Sequence, residues 1–184
     1  METIRVHDKV FKEYLSADLI QRRVSELAAQ INTDYINKRP LFLSILNGSF
    51  MFAADLFRQV SLDAEISFIK IASYQGMRSS GQVMTAIGMD QDLHGREVIV
   101  VEDIVDTGKT LHHFLPSLGQ QEPASIRIAT FLHKPEATNF SVPLDYVGFS
   151  IPNKLKNTPE QQNKKKRALE YLVDVKNGIT SESE

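Results

Sequence analysis

Two short apolar runs, Leu41–Leu46 and Glu97–Val101, constrain this chain more than any other feature. A run of Val, Ile and Leu with little polar alternation is the pattern of a strand covered on both faces, as in a parallel sheet with helices on either side. The neighbouring patterns agree. Ile20, Val24, Leu27, Ala28 and Ile31 recur at helical spacing, with Ser16 or Asp18 available as a cap. A second helix begins near Phe50, after Asn47-Gly48-Ser49, with Ala53, Ala54 and Leu56 available for packing. Ala64–Ala72, Val83–Ile87, Ser125–Leu132 and Tyr146–Phe149 read as further extended segments. Gly108–Leu118 reads as a helix with Leu111, Phe114, Leu115 and Leu118 inward. Strands alternating with helices predict an α/β fold, a doubly wound, mostly parallel sheet flanked by helices.

A length of 184 residues fits one domain with a full core. We assign it to residues 1–176, with the core over about 17–150 and a disordered tail at 177–184. Lys154–Arg167 is polar and ends in the basic run Lys164–Arg167, and a modestly amphipathic helix is expected over Pro159–Val173. A net charge of -2 gives no reason to expect nucleic acid or an anionic membrane as partner. The absence of cysteine excludes thiol catalysis and cysteine-ligated metal and is compatible with a reducing cytoplasm. No apolar run is long enough to span a bilayer, and Met1–Lys12 carries no signal core. A cytoplasmic protein is expected.

The densest chemistry lies in Val98–Leu111, where the apolar strand runs into Glu102-Asp103, then Asp106, then Thr107-Gly108-Lys109-Thr110. Gly-Lys-Thr invites comparison with a triphosphate-binding P-loop, but that loop needs a glycine five residues before the Gly-Lys pair. Asp103 stands there, and a carboxylate would repel the phosphates it should cradle. The residues permit a smaller anion site. The N–H groups from Asp106 to Leu111 stand at a helix start, with Thr107 and Thr110 adding hydroxyl donors, a geometry suited to one phosphate monoester. A capped helix end with Thr107 as cap is the plainer alternative. It leaves unexplained why two acids stand side by side at the end of a buried strand, where they cost stability unless cations or hydroxyl groups meet them.

Val100–Thr110 resembles the phosphoribosyl-pyrophosphate (PRPP) signature of type I phosphoribosyltransferases, and within them the hypoxanthine/guanine branch. Leu46–Leu56 is similar to that branch's pyrophosphate loop and following helix. Ser73-Tyr74 resembles its lid, Leu132–Pro135 its base-reading segment and Asp145–Pro152 the entry to its purine hood. The resemblance runs from about Arg5 to Asn153 and implies a small hood, built from the N-terminus and about 134–175, beside the core sheet.

It also implies a reaction in which a purine nitrogen displaces pyrophosphate from C1 of PRPP through an oxocarbenium-like sugar. By the same resemblance, Asp106, Thr107, Gly108, Lys109, Thr110 and Leu111 would hold the 5′-phosphate. Glu102 and Asp103 would meet the ribose hydroxyls and Mg²⁺, directly or through water. Asp106 would act as general base on the purine. Leu46, Asn47 and Gly48 would bind pyrophosphate through backbone N–H groups, with a cis peptide bond before Asn47. Ser73 and Tyr74 would close over the site, and Lys134, Leu155 and Ile104 would contact the purine. Lys134 would donate to a 6-oxo oxygen, favouring 6-oxopurines over adenine. A homodimer or homotetramer is expected.

The pattern breaks after Lys154. Leu155 stands where the family places an aromatic residue that stacks on the base, and no aspartate follows at the expected position. The alternatives this leaves open are a transferase for xanthine or another base, and a PRPP- or nucleotide-binding regulator with little catalysis.

Overall fold

A computed structural model of the chain describes residues 3–6, 9–74, 83–88, 90–153 and 179–181. Its main sheet contains β3 (Leu41–Leu46), β4 (Glu65–Tyr74), β5 (Val83–Ile87), β6 (Glu97–Val105), β7 (Ser125–His133) and β8 (Tyr146–Ser150). They lie in the order β5-β4-β3-β6-β7-β8. β5 alone runs antiparallel, against β4, and the other pairings are parallel. A second sheet joins β1 (Thr3–Val6), β2 (Lys9–Glu13) and β9 (Ile179–Ser181), all antiparallel.

The central strands are covered on both faces, as their unbroken apolar runs require. On one face α1 (Ala17–Asp34) and α2 (Phe50–Phe57) pack on Phe42, Ile99, Val101, Ala129 and Phe131. On the other α3 (Lys109–Gly119) and Leu93 pack on Leu41, Leu43, Ile45, Val98, Val100 and Ile128. Successive side chains point to opposite faces of a strand, so β3 and β6 feed both cores at once.

Helix α1 buries Ile20, Val24, Leu27, Ala28 and Ile31, the face its spacing predicted, and Ser16 Oγ caps it by accepting from the Leu19 N–H at 3.3 Å. Its Arg23 donates to the carbonyls of Val147 and Gly148 at 2.8 and 2.9 Å, tying the helix to the edge strand β8. At the amino end of the strands, the Arg127 guanidinium and the Tyr146 hydroxyl both donate to Asp34 Oδ2, at 2.7 and 2.8 Å. These ties hold the end of the sheet opposite the Glu102-Asp103 acids.

Several expectations need correction. β6 continues past Val101 to Val105, because its pairing with β7 persists through Ile104–Leu132 and Val105–His133. Ser73 and Tyr74, expected to open a loop, instead belong to β4, where they pair antiparallel with Met84 and Val83. Helix α2 buries Phe52, Ala53 and Leu56, leaving Ala54 only partly covered. Ile179–Ser181, expected in a disordered tail, instead pair with β2, where β-branched Ile179 and Thr180 suit an added strand. The helix expected over 159–173 lies outside the described residues.

Ile99 is fully buried in the core beneath α1 and α2. Ile99→Ala should lower unfolding free energy by about 2–5 kcal/mol, the usual cost of such a cavity. Urea titration checks this, and an unchanged midpoint would contradict the packing described.

Candidate functional site

Because β3, β6 and β7 are parallel, their carboxyl ends share one edge of the sheet. From β3 the chain passes through α2 to β4 on one side, and from β6 through α3 to β7 on the other. The connections diverge between β3 and β6, which opens a crevice of the kind that receives ligands in such sheets.

The turn Leu46-Asn47-Gly48 leaves β3 on one side of that crevice, and its Leu46–Asn47 peptide bond is cis, where the resemblance implied it. Two buried hydroxyls support the turn from beneath. Ser49 Oγ donates to the Ile45 carbonyl at 2.6 Å and accepts from Ser44 Oγ at 2.6 Å. Gly48 lies against Asp103 so closely that a Cβ would overlap its carboxylate. Only glycine lets the two strand ends meet in this way.

Asp103 is 4% exposed, and Glu102 beside it is partly buried. Glu102 Oε2 and Asp103 Oδ2 are both buried without a hydrogen-bond partner among the described residues. Burial, followed by the neighbouring charge of Asp103, pushes the Glu102 carboxyl well above the ordinary carboxylate range. Burial also raises Asp103, against the opposing pull of hydrogen bonds from Glu102 and from backbone N–H groups. Two oxygen acids with spare lone pairs suit hydroxyl donors, or a hard cation that keeps several waters and uses few protein carboxylates. The donor set therefore fits Mg²⁺.

The loop after β6 is shaped by Gly108, whose φ of 76° is left-handed and whose missing side chain makes room for the Phe140 carbonyl. Gly108 itself is the N-cap of α3, with no side-chain cap bond. Thr107 is therefore not the cap; its Oγ1 accepts the Lys109 N–H at 3.3 Å in a local turn. The first helical bond runs from His112 N to Gly108 O at 3.0 Å, so the N–H groups of Thr110 and Leu111 precede the helical ladder. Such groups can bind an anion. Lys109 and Thr110 are exposed, and the Leu111 side chain is buried under α3.

Asp106 is half-buried and its carboxylate has no partner among the described residues. Lys134, equally half-buried, follows β7 on the same edge, and its N–H donates to the Val105 carbonyl at 2.9 Å. Ile104 is partly buried and packs on the core beneath α1 and α2. Ser73 and Tyr74 end β4 at this edge, beyond its pairing with β3, which stops at Leu46 opposite Lys70. Leu155 lies outside the described residues. The sequence reading missed the Ser44–Ser49 pair and the contacts of Thr138 and Phe140 with the acid loop. Hydroxyl residues flanking an Asn-Gly turn are the only signal that could have pointed to the first.

Residues 11–163 match the model of the phosphoribosyl transferase domain, and the chain belongs to that family. It is 38% identical over 146 residues to the hypoxanthine-guanine phosphoribosyltransferase of Mycobacterium tuberculosis, covering 76% of this chain and 72% of that one. It is 39% identical over 145 residues to the hypoxanthine phosphoribosyltransferase of Buchnera aphidicola, with 77% and 82% covered. A solved hypoxanthine-guanine phosphoribosyltransferase from Bacillus anthracis superposes with a TM-score of 0.69 at 35% identity, covering 78% of this chain and 85% of that one.

The acid pair has a consequence for stability. Glu102 holds its proton to higher pH in the folded state than in the unfolded chain, so the folded state binds more protons above the ordinary carboxylate pKa. Stability from this group is therefore present at low pH and lost as pH rises through its folded pKa. In chelator, Glu102→Gln should melt higher than the parent chain, with an advantage that widens as pH rises. Parallel melting curves across pH would refute the buried-acid description.

Proposed function

We propose that this chain is a purine-salvage phosphoribosyltransferase that moves the 5-phosphoribosyl group of PRPP to hypoxanthine and guanine in the cytoplasm. The observation that carries this reading is the convergence, on one sheet edge, of a buried acid pair, an anion-ready helix start and Lys134. The relatives named for hypoxanthine and guanine support the choice of base.

In this reading the 5′-phosphate sits on the backbone N–H groups of Asp106–Leu111, with the Thr107 and Thr110 hydroxyls and Lys109 beside it. Glu102 and Asp103 accept from the ribose hydroxyls, which also relieves their orphaned oxygens. They would hold Mg²⁺ directly or through its waters, and the ion would supply charge neutralisation to the departing pyrophosphate. The N–H groups of the Leu46–Gly48 turn bind that pyrophosphate. The bond from C1 to the pyrophosphate oxygen breaks, the bond from C1 to the purine nitrogen forms, and Asp106 takes the imidazole-ring proton.

Lys134 donates to the purine 6-oxo oxygen. An adenine 6-amino group would leave that ammonium unpaired, which is a strong basis for rejection. Ile104 lines the base; Leu155, expected in the same role, lies outside the described residues. Ser73-Tyr74 closes over the site and keeps water from the reactive sugar. The β1-β2-β9 sheet contributes to the hood. We extend the reading to a homodimer or homotetramer, for which the exposed Phe50 and Phe68 offer apolar surface.

Turnover with hypoxanthine, guanine, xanthine and adenine, each with PRPP and Mg²⁺, tests the assignment when paired with calorimetry of PRPP binding. Hypoxanthine and guanine should turn over and adenine should not. Tight PRPP binding without turnover on any base would instead mark a PRPP-binding regulator. Asp106→Asn should lower kcat by roughly 10²–10⁴-fold while sparing PRPP affinity. Equal losses in both would make Asp106 a phosphate-loop residue.

A further inference from the structure

The pairing of β6 with β7 ends at Val105 and His133, and its last rung is the bond from Lys134 N to Val105 O at 2.9 Å. Beyond that rung the two strands separate. Asp106 enters the loop toward α3, and Lys134 is followed by Pro135, which has no N–H to offer a further rung. That rung holds Lys134 to the peptide entering Asp106, but the carbonyls leaving Asp106 and Lys134 lie past it, where the sheet no longer pairs them.

A side chain joins them instead. Pro135–Ala137 forms a single tight turn, closed by Ala137 N to Lys134 O at 3.0 Å and Thr138 N to Pro135 O at 3.3 Å. This turn carries Thr138 back beneath the strand ends. Its Oγ1 lies 3.0 Å from the Asp106 carbonyl and 2.9 Å from the Lys134 carbonyl. His133 Nε2 lies 3.1 Å from the same oxygen. A hydroxyl has one proton, so it is shared between the two carbonyls in a three-centre bond, and the His133 Nε2–H donates to the oxygen from the other side. The next residues continue the contact: the N–H groups of Asn139 and Phe140 both donate to the Thr107 carbonyl, at 3.1 and 3.0 Å.

We propose that Thr138 is a positioning residue, a side-chain rung that fixes the Asp106 peptide against the Lys134 peptide and so sets the base and the purine-reading ammonium relative to one another. This rests on the roles given above to Asp106 and Lys134. Thr138 hydrogen-bonds neither Glu102 nor Asp103, and on the acid loop it holds a carbonyl and not an N–H group. Its loss should therefore weaken the purine half of the reaction more than the PRPP half.

Thr138→Val keeps the shape and removes the hydroxyl, and Thr138→Ser restores the hydroxyl without the methyl group. With hypoxanthine as the varied substrate, Thr138→Val should lower kcat/KM on the order of tenfold to a hundredfold, the scale expected of a small misplacement. PRPP affinity by calorimetry should fall by much less than kcat/KM, and Thr138→Ser should recover most of the activity. Thermal melts check folding, and Thr138→Ala replaces Thr138→Val if valine impairs it. Parent-like kcat/KM in the hydroxyl-free variant would overturn the proposal, as would equal losses in the valine and serine variants or a parallel loss of PRPP affinity. Asp106→Asn and Lys134→Ala, measured alongside, separate the two levels. If both are silent, the reading of the site fails; if both are impaired and the hydroxyl-free variant is silent, only the role of Thr138 fails.

Discussion

The structure depends on the parallel pairing of β3 with β6 at the centre of the sheet. That pairing brings the turn after β3 onto the acids near the end of β6, with Gly48 lying directly on Asp103. The strands beneath are covered on both faces, so the two ends cannot drift apart without disturbing two cores. A rigid base of this kind can hold two carboxyl oxygens without partners, a burden that a mobile loop would relieve by turning them to water. The folding cost of the acid pair and its proposed use as a ligand site are two aspects of one arrangement.

Much of the fold was legible because it depends on periodicity. The buried face of α1 appears in the sequence as Ile20, Val24, Leu27, Ala28 and Ile31, and the central strands appear as unbroken apolar runs. What escaped depends on tertiary partners. The last residues of β6 include Glu102 and Asp103, so the apolar signal stops while the ladder to β7 continues. In α2, Phe52 rather than Ala54 joins Ala53 and Leu56 on the buried face, because strand partners decide which of two overlapping helical faces turns inward. The backbone shape of Gly108 and the role of Thr138 arise from the segment 134–140 folding over the acid loop, some thirty residues later in the chain.

The candidate site divides in the same way. The segment proposed for the 5′-phosphate and ribose is contiguous, running from Glu102 to Leu111, and was visible as a motif. The residues proposed for the base come from separate segments, with Lys134 and the turn that follows it among those described. In the reaction proposed above, the two groups of residues act together. The chain departs from the family's pattern at Leu155, which lies outside the described residues.

The most direct test of this account is amide chemical-shift mapping of the labelled protein titrated with PRPP and Mg²⁺. The account predicts that Asn47, Gly48 and the amides from Thr107 to Leu111 shift together and saturate with one affinity. Perturbations confined to the opposite edge of the sheet, around Asp34, Arg127 and Tyr146, would contradict it.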